Sequence, residues 1–167
     1  VVSGWSRGLP PHIRAGGPRL NRLFAPDRRF LSDRGGSRDE ARRRRSTYDG
    51  AITDSSEALR IDPKLASAFG NRGNARLSQG DLDKAIADQT ESIRIEPKGA
   101  PAFVGRAGAS LRKGNLDQAI ADDSEAIRIN SKLGPAFSGR AFAWRAKGDP
   151  DKAAADSRQA GLLGTRP

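Results

Sequence analysis

The chain can be laid over itself at a shift of 34 residues. Ala68-Phe69 returns as Ala102-Phe103 and Ala136-Phe137, and Gly80 returns as Gly114 and Gly148. Ala85-Ile86-Ala87-Asp88 returns as Ala119-Ile120-Ala121-Asp122 and, weakened, as Ala153-Ala154-Ala155-Asp156; Ala51-Ile52-Thr53-Asp54 carries the frame one period upstream. A period of about 34 residues is that of a helix hairpin too small to bury its apolar face alone. It therefore dictates an all-α array in which each hairpin covers the next.

The best-formed unit, Ser67 to Lys98, splits at Gly80. Ala68, Phe69, Gly73, Ala75 and Leu77 before it, and Leu82, Ala85, Ile86, Ile93 and Ile95 after it, recur at helical spacing. The spacing predicts two helices, with Gly80 in the left-handed position that ends the first and Asp81 as N-cap of the second. Asp149-Pro150 repeats that boundary, with proline at the first helical position. Pro63 and Pro97 close the second helices, and Ser131 and Thr165 take their place later. The core is expected to be Ala, Ile, Leu and a few Phe, with Trp144 filling it in the last unit.

One recurring pair is polar. Arg72 and Asp88 lie eight residues on either side of Gly80, and Arg106 with Asp122 and Arg140 with Asp156 flank the later glycines identically. Equal offsets from the turn mean equal height in an antiparallel hairpin, which predicts an interhelix ion pair in each repeat. Arg38 bears the same relation to Asp54, so a short, frayed first helix is expected at 37–46.

The formal charge of +10 is unevenly placed: residues 1–45 hold 12 Arg and 4 acids, whereas residues 46–167 hold 18 basic and 16 acidic side chains. Residues 1–36 form a basic leader with Gly and Pro too dense for regular structure. The chain begins at Val and has no Met, so this leader reads as a fragment or misplaced start as readily as native sequence. No apolar run suits a signal-peptide core or a membrane span, and a cytoplasmic location is expected. Without Cys and with His12 as the one histidine, neither a metal cluster nor a Ser-His or Cys-His nucleophile can be assembled. The Gly-rich pieces at 70–73 and 105–108 lack phosphate-loop spacing. No catalytic residue, cofactor or metal is assigned.

The columns quoted above resemble tetratricopeptide repeats of bacterial type, strongly over 66–167 and weakly over 37–65. They match that family's aromatic anchor, small-residue pair, Gly before the second helix, Ala within it and Pro after it. The resemblance divides the chain into a leader (1–36), a degenerate first repeat (37–65) and three repeats (66–99, 100–133, 134–167). It implies a right-handed superhelical array of antiparallel helix hairpins. Ser55, Gln89, Asp123 and Ser157 stand where the family usually has a large aromatic, so looser packing between hairpins is expected. No extra capping helix follows; Leu162 and Leu163 are expected to be exposed, a route to self-association.

By the same resemblance the first helices line a concave groove for a peptide or a partner's helix, comprising Asn71, Asn74, Leu77, Val104, Leu111, Arg112, Ser138, Phe142 and Arg145. Some family members grip a C-terminal carboxylate there with Lys, Arg and two Asn. Asn74 fits one such place, but Gly70, Pro101, Gly105 and Gly139 occupy others, and that clamp is not expected. The first helices carry Arg72, Arg76, Arg106, Arg112, Lys113, Arg140, Arg145 and Lys147 and no acid. Either the groove is positive and favours an acidic peptide, or these cations pair with acidic second helices; the sequence leaves the two level. The expected role is a non-catalytic interaction scaffold. The alternatives are nucleic-acid or anionic-surface binding through Arg42, Arg43, Arg44 and Arg45, and a regulatory subunit of an enzyme complex.

Overall fold

The structure, a computed structural model, describes residues 29–164, with side chains from Arg38 onward. Seven helices and no strand occur among the described residues: α1 (Arg29–Ile61), α2 (Ala66–Gln79), α3 (Leu82–Ile95), α4 (Ala100–Lys113), α5 (Leu116–Ile129), α6 (Gly134–Ala146) and α7 (Pro150–Leu162). The chain divides into two units, residues 1–40 and 41–167. Residues 29–40 are helical.

Hairpins α2–α3, α4–α5 and α6–α7 form as the period requires, and α3 packs on α4 and α5 on α6 to stack them. The first helices α2, α4 and α6 also touch in succession. At the first turn, Gly80 has φ 90°, its N–H donates to the Leu77 carbonyl, and the Asp81 N–H donates to the Arg76 carbonyl. These bonds satisfy helix-end carbonyls that would otherwise be orphaned, and the left-handed backbone they need is cheap only for glycine. Gly114 and Gly148 repeat it at φ 83° and 82°.

Two cap expectations part here. Asp149 accepts a hydrogen bond from the Lys152 N–H at 3.1 Å and caps α7. Asp81 occupies the N-cap position of α3 but its side chain makes no cap bond; its carboxylate holds the Lys84 ammonium at 2.6 Å.

The degenerate hairpin expected at 37–65 is not formed: α1 runs unbroken to Ile61, starting at Arg29 within the stretch expected to lack regular structure. The turn column that holds Gly80-Asp81 later holds Ser46-Thr47 here. Neither residue favours the left-handed conformation, and Thr47 Oγ1 bonds the Arg43 carbonyl within the helix at 3.0 Å. Of the expected leader, residues 1–28 lie outside the described residues, as does Thr165.

The core is narrower in composition than expected. Among the described residues the buried apolar side chains are alanines plus Phe103 and Phe137; Leu77, Leu82, Ile86, Ile93 and Ile95 are only half-buried. Ala85, Ala119 and Ala153 on the second helices and Ala107 and Ala141 on the first are at most 2% exposed, and burial this complete in a packed interior leaves little space for branched chains. Those chains cover the seams instead: Ile93, Val104, Ile127, Ile129 and Leu133 pack around Ala100, Phe103, Ala126 and Ala136. Trp144 is half-buried rather than core. In its column Ser110 is fully buried and Arg76 reaches Asp88, whereas the Trp144 indole lies against the Lys152 ammonium, 4.3 Å from the ring centre.

Candidate peptide groove

Each repeat is locked by one guanidinium. Arg72 forks onto Asp88 (2.8 and 3.0 Å), Arg106 onto Asp122 (2.8 and 2.9 Å) and Arg140 onto Asp156 (2.8 Å twice). The third nitrogen donates to a hydroxyl of the preceding second helix, Ser56, Thr90 or Ser124, at 3.0–3.3 Å. Each guanidinium also lies 5.4–5.8 Å from the centre of the Phe three residues earlier. The expected ion pair is therefore a node that binds both halves of its own hairpin and the helix before it. The hydroxyl column, itself repeating every 34 residues, was readable in the sequence at the same offset of sixteen as the Arg–Asp pairs.

A second set of ties joins neighbouring repeats. Lys113 pairs with Asp83 and Lys147 with Asp117, and Gln79 donates to Asp49 in the same columns. With Arg76 also on Asp88 at 2.7 Å, six of the eight first-helix cations hold a carboxylate. Arg112 donates to the Leu77 carbonyl, and Arg145 lies 5.8 Å from the Phe142 ring centre. Pairing with the second helices thus accounts for most of the basic character of the first.

Between α2, α4 and α6 opens a cleft of about 470 Å³. Leu77, Val104, Leu111 and Leu133 line it, with Pro101 and Pro135 along one side. Its polar groups come from Asn74 and, through the layer of first helices, from Asp123 on α5. Asp123 gets there because Gly139 faces it: a Cβ at 139 would lie 2.5 Å from Asp123 Oδ2. One repeat earlier Gln89 inserts in the same way, and a Cβ at Gly105 or Gly73 would fall within 3 Å of its amide nitrogen. Gln89 and Asp123 are 1% and 2% exposed. At these two positions of the missing aromatic, a glycine on the next first helix accommodates the polar chain.

Gln89 is partly satisfied: its amide nitrogen donates to the Gly70 carbonyl (3.1 Å) and to Asn74 Oδ1 (2.8 Å), while Oε1 accepts nothing. Asp123 Oδ1 is buried and accepts nothing. Burial pushes the Asp123 carboxyl up to about 8, and the neighbouring Asp122 carboxylate reinforces this; Arg140 opposes it and Asp156 adds to it. The fork from Asp156 holds Arg140 more firmly protonated than usual.

Of the residues assigned to the groove from sequence, Asn74, Leu77, Val104 and Leu111 come together in this cleft. Asn71 lines adjoining depressions, one of them shared with Gln89, Ser92 and Glu96. Ser138 is half-buried with its hydroxyl unpartnered, Phe142 is 46% exposed, and Arg112 and Arg145 are exposed. The assignment missed Asp123, Leu133, Pro101 and Pro135. The offset of sixteen between Gln89 and Gly105, and between Asp123 and Gly139, against Ser55 and Asn71, was the available sign for Asp123.

Arg42, Arg43, Arg44 and Arg45 are all exposed on α1. Successive helical residues diverge by about 100°, so only Arg42 and Arg45 share a face. Among the described residues no group of three metal-binding side chains occurs, and no helix is long and apolar enough to cross a membrane.

A family model for the tetratricopeptide repeat matches residues 66–98. The Arabidopsis OM64 TPR domain is 30% identical, with 59% of this chain covering 81% of that one at a TM-score of 0.58. The first TPR of Spaghetti (RPAP3), solved bound to the HSP90 peptide SRMEEVD, is 26% identical over 61% of this chain and 81% of that one, TM-score 0.59. MamA shares the fold at 20% identity, 74% and 72% coverage and a TM-score of 0.66. No curated protein sequence matches the chain.

Proposed function

Because the chain belongs to the tetratricopeptide repeat family, we propose that it is a non-catalytic interaction module that holds a peptide or a partner's helix against α2, α4 and α6. The observation that carries this is the cleft of about 470 Å³, apolar in its walls and open between three first helices. Its dimensions suit one or two anchoring side chains, and concave apolar clefts with few polar groups are the usual form of a ligand site. The peptide-bound RPAP3 neighbour supports a peptide as occupant. Exposed Phe142, with Arg145 against its ring, extends the surface along α6. Arg112 and Arg145 are the cations left to meet an acidic group on the ligand.

Selection of random peptides on the full chain tests the reading. Leu111→Glu, which places a charge on the cleft wall, is expected to weaken selected peptides at least about 10-fold at unchanged melting temperature. Binders indifferent to both Leu111→Glu and Phe142→Ala would move the site elsewhere. The alternative reading, anion binding through Arg42–Arg45, rests on their exposure. It predicts affinity for a DNA or RNA duplex that falls steeply with salt, each phosphate met adding about 0.9 to the slope.

A further inference from the structure

We infer that the cleft holds a socket for one cationic side chain of the bound segment, a lysine or an arginine, whose head meets Asp123 and whose aliphatic stem lies on Leu77, Val104, Leu111 and Leu133. The inference rests on the peptide-groove reading and names the chemistry that groove selects.

Four acids are buried in the second helices: Asp88, Asp122, Asp123 and Asp156. Three of them are held by arginines of their own hairpins. Asp123 is 2% exposed, lines the cleft, and its Oδ1 accepts no hydrogen bond. A buried carboxyl without a partner is costly, and the chain admits one here by giving up a side chain at Gly139. The arrangement makes chemical sense when a donor arrives from outside.

The repeat before it makes the same demand. Gln89 must turn its nitrogen to the Gly70 carbonyl, which can only accept, and this leaves Oε1 unpaired. Two acceptors thus stand in one column a repeat apart, and both call for donors. Apolar walls ending in a carboxylate suit a side chain with a long alkyl stem and a charged tip. No charged residue of α2 or α4 lines the cleft, although Arg112 of α4 reaches the Leu77 carbonyl at its edge; the charged groups acting on Asp123 are Asp122 of α5, Arg140 of α6 and Asp156 of α7. Arg140 is committed to Asp156 in a two-bond fork, so it is not free to neutralise Asp123.

In the unbound protein Asp123 keeps its proton up to about pH 8. An arriving ammonium or guanidinium displaces that proton to solvent, leaving a carboxylate–cation pair. Affinity for a cationic anchor should therefore rise with pH through that range, and binding should release a proton.

The experiment uses 12-residue peptides selected from a random library on the full wild-type chain. The best binders are resynthesised with each Lys or Arg replaced in turn by norleucine, and titrated calorimetrically at pH 6 and pH 9 in two buffers of different protonation enthalpy. The expected result is one position where norleucine costs about 10- to 100-fold at pH 9 and much less at pH 6. Proton release should accompany the Lys or Arg form alone, and the preference should disappear in Asp123→Asn. The wild-type pH comparison stands even if that variant folds poorly. Binders that Leu111→Glu weakens, yet which accept norleucine at every position without loss at pH 9, overturn the socket and leave the groove. Binders that Leu111→Glu does not affect overturn the groove itself.

Discussion

Gly139 and Gly50 are both helical glycines, yet alanine should act oppositely at the two. A methyl group at Gly50 meets nothing within 4 Å, so Gly50→Ala is expected to stabilise by about 0.5–1 kcal/mol through helix propensity alone. At Gly139 the same methyl would lie 2.5 Å from Asp123 Oδ2, and the overpacking, roughly 1–3 kcal/mol, outweighs the propensity gain. Urea denaturation of the two variants should separate them in sign. Asp123 itself makes stability depend on pH. Its folded value of about 8 lies above the ordinary 3.8. Below pH 4 both folded and unfolded chains hold the proton and nothing is lost. Between pH 4 and 8 the unfolded chain releases the proton that the folded chain keeps, so stability falls; above 8 the loss is constant. Asp123→Asn should therefore raise the melting temperature slightly at pH 5 and much more at pH 9, the limit being about 6 kcal/mol. An equal gain at both pH values would mean that the carboxyl is ionised throughout. The sequence sign of Asp123's burial was Gly139 sixteen residues on; its lack of a partner was not legible, because that depends on which donors reach it in the fold.

At the level of the hairpin, the Arg–Asp pairs were legible because a fixed offset from a turn is a geometric quantity that residue numbers carry. Their energetics were not. Asp88 holds both Arg72 and Arg76, while Asp122 holds Arg106 and accepts from Gln118 at 3.0 Å. Removing one partner of a buried pair typically costs about 3–5 kcal/mol. Asp88→Asn, which strands two guanidinium groups, should cost more than Asp122→Asn, with chemical denaturation as the measure. Replacing Arg106 and Asp122 together by Met and Leu should cost less than the sum of the single changes. The i,i+3 pairs Glu57–Arg60, Glu91–Arg94 and Glu125–Arg128 are exposed, and their loss should be close to neutral. The helices themselves followed their apolar spacing and turn glycines. The exception, α1, shows how much the turn glycine matters: with Ser46-Thr47 in its column the helix simply continues.

Across the repeat unit, stability should follow the number of neighbours a hairpin has, since a solenoid's energy is close to a sum of repeat and interface terms. Amide hydrogen exchange is expected to be slowest in α3 to α6, which contain most of the buried residues, and fast over residues 41–47, all of which are exposed. Uniform exchange along the unit would show that it opens as one body. The 34-residue period specified the hairpins, their order and their stacking, because periodicity is a local property: a turn glycine, a cap and an apolar stripe act within a few residues of themselves. It also specified the family, and through the family the side of the array on which a ligand is sought. What the order of residues could not convey was which side chains cross from one layer to the other. Trp144 was left only half-buried, Arg76, Lys113 and Lys147 were drawn to carboxylates, and Asp123 passed between helices into the groove, with Gln89 in the depression beside it. Each of those outcomes depends on the space and charge left by residues about a repeat away, and that competition is settled only when the helices are in contact.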